Sequence, residues 1–491
     1  MGRGRSSAAE LRNHQAPAWW RDAKLGIFIH WTPASVPGYA PTGNEVGVRL
    51  ARRDHDALAW MPYTEWYENS LRFDASPAAR FHAEHFRGRT YESFVADWED
   101  GLSTWDPSAW VEQFSSAGAR YVVLVAKHHD GYCLWPTEVE NPNKLSFHSR
   151  RDVVGELATA VRRRGMRFGL YYSGGLDWTF DAHPIGKASD LLVAQPGGAY
   201  PDYAEAQVRE LIDRYQPSIL WNDISWPTSI SRLARLLADY YTAVPDGVVN
   251  DRFFPRTVPW KLASAAALRP LLDLAVARGS GGDQGLVPPR APFFDVRTPE
   301  YTSFPDLQRT PWESVRGIDH SFGFNRASGE AHFLTKRDLL WSFTDIVAKG
   351  GNLLLNVGPR GEDAQIPDTQ LRRLEWLGHF ARVAGSSLFA TRPWVVASGA
   401  DATGPEVRYT TRADVVYALL RARSGDEVTR TVLLADVAST PTTAVRAVGS
   451  GMLEFDTTDH GLVVHLGHAL DPDVPVALEL RSVTAAGKRG G

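Results

Sequence analysis

Two acidic side chains follow apolar runs at positions where they could act together on one bond. Asp223 lies in ILWNDISWP, directly after an apolar run, and Glu300 lies near the end of FFDVRTPEY. Trp221 and Trp226 flank Asp223 and are expected to shield its carboxylate from water, whereas an Asp that caps a helix normally stays hydrated. A pair of carboxylates around the scissile bond is the arrangement that hydrolyses glycosidic bonds.

Polar and aromatic side chains also end the other predicted strands. They are His30 and Trp31, Lys127 to Asp130, Tyr171 and Tyr172, Asn222, Asn250 to Arg252, and Tyr301. Any one of them alone is more often structural than functional, but six strand ends that carry such groups together favour one site. Aromatic faces suit the apolar face of a sugar ring, and imidazole or guanidinium groups suit its hydroxyls. The combination therefore favours a carbohydrate site.

Other chemistries are less well supported by the spacing. His128 and His129 are neighbours on a predicted strand, so their side chains should point to opposite faces unless a bulge or twist lets both reach the site. No HxH or HExxH spacing occurs, and no GxSxG nucleophile elbow is present. SGGLDW and GSGGDQG have glycines but lack the Lys-Ser/Thr ending of a phosphate loop. We predict no metal and no cofactor.

These residues must be positioned by alternating strands and helices, which predict a parallel sheet. Eight apolar runs are expected to form strands: 25–31, 121–129, 166–173, 218–224, 247–253, 293–301, 315–323 and 352–359. Clear helices are predicted at 107–117, 152–164, 202–215 and 229–241. Eight such units predict an α/β fold with an irregular (β/α)₈ TIM-like barrel, whose active site lies at the C-terminal ends of the strands. An open doubly wound sheet is the alternative.

The chain is predicted to have a second domain. After a helix at 367–385, short alternating runs joined by Gly, Asp, Thr and Pro turns predict a C-terminal antiparallel β-sandwich. The predicted division is an N-terminal tail (1–16), the catalytic barrel (17–394), the β-sandwich (395–485) and a short tail (486–491). The connections 31–105 and 254–292 are long for a barrel, and lids are expected there.

Composition excludes several classes of protein. With 491 residues, 43% hydrophobic and 22% charged residues and a formal net charge of -4, the chain is not expected to bind nucleic acid. No signal peptide and no membrane span are predicted. A single cysteine, Cys133, favours the cytoplasm. Whether the chain forms a homo-oligomer stays open.

Seven segments together resemble the α-L-fucosidases of glycoside hydrolase family 29. They are KLGIFIHWTPASVPG, TEWY, AGARYVVLVAKHHDGYCLW, GLYYSGGLDW, ILWNDISWP, VVNDRF and GGNLLLNVGPRG. The resemblance covers roughly residues 17 to 395. It implies a retaining exo-α-L-fucosidase that acts on a fucosylated glycan or glycoside, with Asp223 as the nucleophile.

The resemblance also implies roles for other residues. Glu300 matches a short EY segment and is expected to be the acid/base; Glu65 in TEWY is the rival. The predicted substrate-binding residues are Phe28, His30, Glu65, Trp66, His128, His129, Tyr171, Trp221, Arg252 and Phe322, of which Phe28 and Phe322 would enclose the sugar methyl group. Tyr171 is preferred to Tyr172. The alternatives are a retaining glycosidase for another 6-deoxy or galacto-configured sugar, and an inactive carbohydrate-binding barrel.

Overall fold

Seven parallel strands form a curled barrel sheet. The structure, a computed structural model, describes residues 8–43, 46–52, 54, 57–256, 268–279, 285–399, 404–423 and 430–486. The strands are β1 (Leu25–Ile29), β2 (Tyr121–Lys127), β3 (Arg167–Ser173), β4 (Ile219–Asp223), β5 (Val248–Val249), β6 (Trp312–Gly317) and β7 (Gly351–Val357). Their order in the sheet is β5-β4-β3-β2-β1-β7-β6. The predicted TIM-like α/β fold is confirmed.

The segment 293–301 is not the regular strand that its pattern predicts. It makes isolated parallel bridges, from Val296 to Asn250 after β5 and from Glu300 to Val315 of β6. Pro299 lies between them and has no backbone N–H to donate to a ladder, although its carbonyl accepts from Val315 N at 2.9 Å. The segment therefore spans the gap between β5 and β6 without becoming an eighth strand.

Side chains alternate between the two faces of the barrel strands. On β4, Ile219 and Trp221 belong to the cluster inside the barrel, whereas Leu220 belongs to the cluster between sheet and helices. The same alternation sends Tyr171 of β3 inward and Tyr172 outward. This period of two selects which strand-end residues can reach the site.

Helices surround the sheet, and several start at a side-chain cap. Asp106, Asp152 and Ser229 each accept a backbone N–H of the first helical turn. In the described residues the helices are α1 (Ala8–Asn13), α2 (Ala18–Ala23), α3 (Val46–Ala51), α4 (Tyr67–Ser70), α5 (Pro77–His85), α6 (Ser93–Gly101), α7 (Pro107–Ser116), α8 (Val153–Arg163), α9 (Asp190–Val193), α10 (Tyr200–Tyr215), α11 (Ile230–Ala243), α12 (Arg269–Gly279), α13 (Lys336–Ala348) and α14 (Asp368–Leu388). Short 3₁₀ turns lie at Pro33–Ser35, Thr64–Trp66, Leu102–Thr104 and Glu330–His332.

The C-terminal region forms two antiparallel sheets. Its strands are β8 (Arg392–Ser398), β9 (Glu406–Arg412), β10 (Val415–Arg421), β11 (Thr431–Leu434), β12 (Val437–Ala447), β13 (Phe455–Thr458), β14 (Gly461–His465) and β15 (Val476–Ala485). One sheet has the order β12-β15-β10-β9-β8 and the other β11-β14-β13. Their facing residues, such as Leu420, Leu462 and Leu480, form a separate apolar core, as the alternating pattern predicts.

Part of the predicted N-terminal tail is packed against the barrel. Leu11 of α1 is buried, and His14 Nδ1 lies 2.6 Å from Asp295 Oδ1. The described residues 8–16 are thus not a free tail. Across the described ranges, no helix combines the length and the apolar character that crossing a membrane requires.

Candidate active site

The C-terminal ends of the barrel strands enclose a cavity of about 440 Å³. Its lining contains all twelve residues that the sequence singled out: Phe28, His30, Glu65, Trp66, His128, His129, Tyr171, Trp221, Asp223, Arg252, Glu300 and Phe322. They come from positions up to 294 residues apart in the chain, and the barrel brings them together. Their individual roles stay predictions.

Asp223 ends β4 and is held as a carboxylate. Its Oδ1 accepts from Arg252 Nη1 at 2.9 Å and from the N–H of Ile224 at 2.8 Å, and its Oδ2 accepts from the Tyr171 hydroxyl at 2.9 Å. Burial alone would raise the pKa of Asp223, but the positive charge of Arg252 and these hydrogen bonds outweigh it, and the pKa lies below its usual value. Ile224 has a φ of 65°, a strained backbone for a β-branched residue.

Glu300 shares the same cation. Arg252 Nη1 donates to Glu300 Oε1 at 2.6 Å, so this oxygen and Asp223 Oδ1 contact one nitrogen atom. The two oxygens are therefore no more than about 5.5 Å apart, the sum of the two hydrogen-bond lengths. Both carboxylate side chains are only slightly exposed. The arrangement is a carboxylate pair organised around one guanidinium.

Arg252 is itself fixed by groups that the sequence did not indicate. Its Nε donates to Thr298 Oγ1 at 3.1 Å and its Nη2 donates to the Thr298 carbonyl at 2.9 Å. Asp251, fully buried, accepts from the Thr298 hydroxyl at 2.7 Å. The guanidinium carbon lies 4.6 Å above the Trp221 ring, a cation–π distance. Thr298 stands two residues before Glu300 in an extended segment, and this spacing was the available signal.

Both adjacent histidines reach the cavity. A register irregularity between Val125 and Lys127 at the end of β2 interrupts the strict alternation, and a bulge of this kind re-aims the residues that follow. His129 Nδ1 lies 2.6 Å from Ser173 Oγ, and its Nε2 lies 4.0 Å from Asp223 Oδ2. His128 Nδ1 has no partner, and its ring stacks on Tyr171 at 5.6 Å.

Burial keeps the site's imidazoles neutral. It lowers the pKa of His30 and of His129 to about 4 and lowers the pKa of His128 well below its usual value. A neutral imidazole has one donor and one acceptor nitrogen, so it can bind a hydroxyl in either sense. His30 Nδ1 lies 2.5 Å from Asn356 Oδ1, which leaves its other ring nitrogen for a ligand.

Glu65 and Trp66 approach from the long connection after β1. Glu65 accepts the backbone N–H of Gly323, and burial raises its pKa to about 7. Trp66 lies edge-on to His129 with ring centroids 5.2 Å apart. This connection is thus part of the site, as the expected lid would be.

Aromatic rings form an apolar wall opposite the carboxylates. Phe28 lies 4.6 Å from the His30 ring and 5.3 Å from Trp221. Phe322 lies 5.0 Å from both His30 and Tyr63. Tyr63 also lines the cavity and was missed; it stands two residues before Glu65, which was the signal for it.

The expectation that two indoles wall Asp223 is wrong for Trp226. That ring lies in the cluster between sheet and helices, 5.4 Å from Phe253, because it follows the sharp turn after Asp223. Trp221 lies inside the barrel and donates from Nε1 to Glu313 at 3.2 Å, so it supports Arg252 from below. The Tyr172 hydroxyl donates to Gln207 outside the barrel, so of the two tyrosines only Tyr171 contacts Asp223.

The absence of a metal stays a prediction. Within the ranges that the structure describes, no three His, Cys, Asp or Glu side chains are grouped so that they could hold an ion.

Comparisons with known proteins agree on one family. A family model described as Alpha-L-fucosidase matches residues 3–386. The tissue alpha-L-fucosidase of Rattus norvegicus is 28% identical over 417 residues, which cover 83% of this chain and 77% of that protein. A solved alpha-L-fucosidase structure is 36% identical with a TM-score of 0.81 and covers 98% of this chain and 100% of that one. Thermotoga maritima alpha-fucosidase in complex with a mechanism based inhibitor is 35% identical with a TM-score of 0.77, covering 96% of this chain and 98% of that one.

Proposed function

The chain belongs to the α-L-fucosidase family and is a glycoside hydrolase, and from this premise we propose that it removes terminal α-L-fucosyl residues with retention of configuration. The proposed substrate is a fucosylated glycan or glycoside. The reaction proceeds through a covalent glycosyl ester on Asp223, with Glu300 as the acid/base.

The observation that carries this proposal is the single Arg252 nitrogen that binds both carboxylates. It limits the distance between their nearest oxygens to about 5.5 Å. Retaining glycosidases have carboxyl groups about 5 to 5.5 Å apart, whereas inverting enzymes separate them by about 6.5 to 9.5 Å to admit a water molecule. The geometry thus supports direct attack by one carboxylate.

The contacts also support the assignment of roles. One guanidinium charge cannot compensate two carboxylates, and like charges at this distance favour a proton on one of them. Asp223 accepts two further hydrogen bonds, from Tyr171 and from the N–H of Ile224, which stabilise its ionised form. The proton then belongs on Glu300, which is the state a general acid needs.

The reaction follows in two balanced steps. Asp223 attacks the anomeric carbon while Glu300 transfers its proton to the departing glycosidic oxygen, so the aglycone leaves as an alcohol. Glu300, now ionised, removes a proton from water, and the resulting hydroxide attacks the same carbon. The ester bond to Asp223 breaks, fucose is released, and Glu300 is protonated again.

Glu65 is the alternative acid, because its raised pKa keeps it partly protonated near neutral pH. Its Oε1, however, accepts the Gly323 N–H and lies within reach of the Thr64 hydroxyl. These contacts suit a residue that orients sugar hydroxyls, together with the neutral imidazoles of His30, His128 and His129. We therefore assign Glu65 to binding.

The proposed function is tested with a panel of nitrophenyl glycosides and proton NMR of the products. We expect the α-L-fucoside to be cleaved in preference to α- and β-D-galactosides, and the first fucose released to be the α anomer, which mutarotates afterwards. Initial appearance of the β anomer would contradict retention. Preferential cleavage of a galactoside would point to the alternative glycosidase.

The aromatic wall predicts a preference for the 6-deoxy sugar. L-Fucose lacks only the C6 hydroxyl of L-galactose, and a pocket formed by Phe28 and Phe322 would desolvate that hydroxyl without a partner. We expect kcat/KM for nitrophenyl α-L-fucoside to exceed that for the L-galactoside by roughly ten- to a hundredfold, because apolar pockets reject an added hydroxyl only to this extent.

The matched variants are Phe322→Ser and Phe322→Leu. Phe322→Ser should narrow the preference by offering the hydroxyl a partner, whereas Phe322→Leu should keep it. Equal cleavage of both sugars by the wild-type protein would remove the assignment of this wall.

A further inference from the structure

The cavity continues beyond the carboxylates into an apolar rim at its mouth. We define the rim as Leu191, Leu192, Leu272, Leu286, Val287 and Pro288, all of which line the cavity. Val287 is 44% exposed, whereas Phe28 at the opposite end of the cavity is 1% exposed. The rim therefore faces the solvent side of the site, where a leaving group would lie.

Backbone pairing places the rim beside the proposed acid. Leu286 N donates to the Glu300 carbonyl at 3.0 Å, and Glu300 N donates to the Leu286 carbonyl at 2.8 Å. The glycosidic oxygen must lie within hydrogen-bond reach of the group that protonates it. An aglycone attached to that oxygen is consequently directed toward Leu286 and its neighbours.

The chemistry of the rim selects the class of aglycone. Among the described lining residues on this side, Gln195 has the one amide side chain; its Oε1 accepts from Arg256 at 3.3 Å and its Nε2 has no partner. A saccharide leaving group carries several hydroxyls that would be desolvated here with few partners. An aryl or alkyl group would instead bury apolar surface against leucine, valine and proline.

We propose that this rim is a leaving-group subsite for an aryl or alkyl aglycone, so that the preferred substrates are fucosides of apolar alcohols or phenols. The inference rests on the proposed function, since it needs Glu300 as the acid. Gln195 Nε2 supplies a donor for one ether, carbonyl or hydroxyl oxygen on such an aglycone.

The test compares methyl and hexyl α-L-fucosides, whose leaving alcohols have similar acidity and differ in apolar surface. We expect kcat/KM for the hexyl fucoside to be on the order of tenfold or more higher, because five additional methylene groups contact the rim. The double variant Leu272→Asn with Val287→Asn should reduce this ratio to near unity while methyl fucoside hydrolysis is unchanged.

Leu271→Asn is the matched control. Leu271 lies next to Leu272 on α12 but is 62% exposed and does not line the cavity, so this variant should keep the wild-type ratio. Equal kcat/KM values for the two fucosides in the wild-type protein, or a ratio unchanged in the double variant, would overturn the subsite alone. Failure to cleave any α-L-fucoside would overturn the proposed function and this inference with it.

Discussion

Asp223→Gly is expected to lower the turnover of nitrophenyl α-L-fucoside by several orders of magnitude. Glycine leaves no oxygen to attack the anomeric carbon, so the covalent route is lost. The sugar-binding side chains, including His30 and Glu65 on other elements, remain in place. The measurement is kcat with the activated substrate, together with fucose binding by calorimetry to show that the variant is folded.

Azide makes the result specific to a nucleophile. A small anion can enter the space vacated by the Asp223 carboxylate, next to Arg252 Nη1, and attack from that side. Azide should restore cleavage and give the β-L-fucosyl azide, the product of a single inversion. It should not accelerate the wild-type protein. A variant that keeps most of its activity without azide would place the nucleophile elsewhere.

Glu300→Ala is expected to show a loss that depends on the leaving group. General acid catalysis contributes typically 10²- to 10⁴-fold, and we expect a loss of this size for a fucosyl disaccharide, whose leaving oxygen must be protonated. A nitrophenolate leaves without much protonation, so formation of the glycosyl ester should suffer much less. Pre-steady-state kinetics with the nitrophenyl fucoside measures that step separately.

Azide again identifies the role, with the opposite stereochemistry. In Glu300→Ala the ester on Asp223 forms but water is no longer activated, and azide should intercept it to give the α-L-fucosyl azide by a second inversion. Glu65→Gln is the matched comparison. If Glu65 binds hydroxyls, its variant should lose activity equally on both substrates and give no azide product. The reverse pattern in the two variants would make Glu65 the acid.

Local patterns account for much of what could be predicted. The runs that became β2, β3 and β4 are continuous apolar segments bounded by polar residues, and α7, α8 and α11 start at side-chain caps that are visible in the sequence. The twelve candidate residues follow from the rule that parallel strands end at one edge and from the family resemblance. Side-chain alternation on β3 is a property of neighbouring residues, and it favours one of two adjacent tyrosines.

The segment 293–301 shows where local pattern is insufficient. Its residues have the composition of a strand, but Pro299 interrupts the ladder and the segment is held by isolated bridges to β5 and β6. Its position between those strands depends on how the barrel closes, which involves contacts far apart in the chain. The placement of Glu300, and with it the acid/base assignment, depends on that closure.

By itself the sequence determined the fold class, the order of the elements and the strand-end residues, because each depends on the period and composition of contiguous residues. Only the tertiary structure decided which of these residues touch. It placed one Arg252 nitrogen between Asp223 and Glu300, moved Trp226 out of the site, and set an apolar rim beside Glu300. Each of these depends on long-range packing between segments whose separation in sequence carries no record of their distance in space.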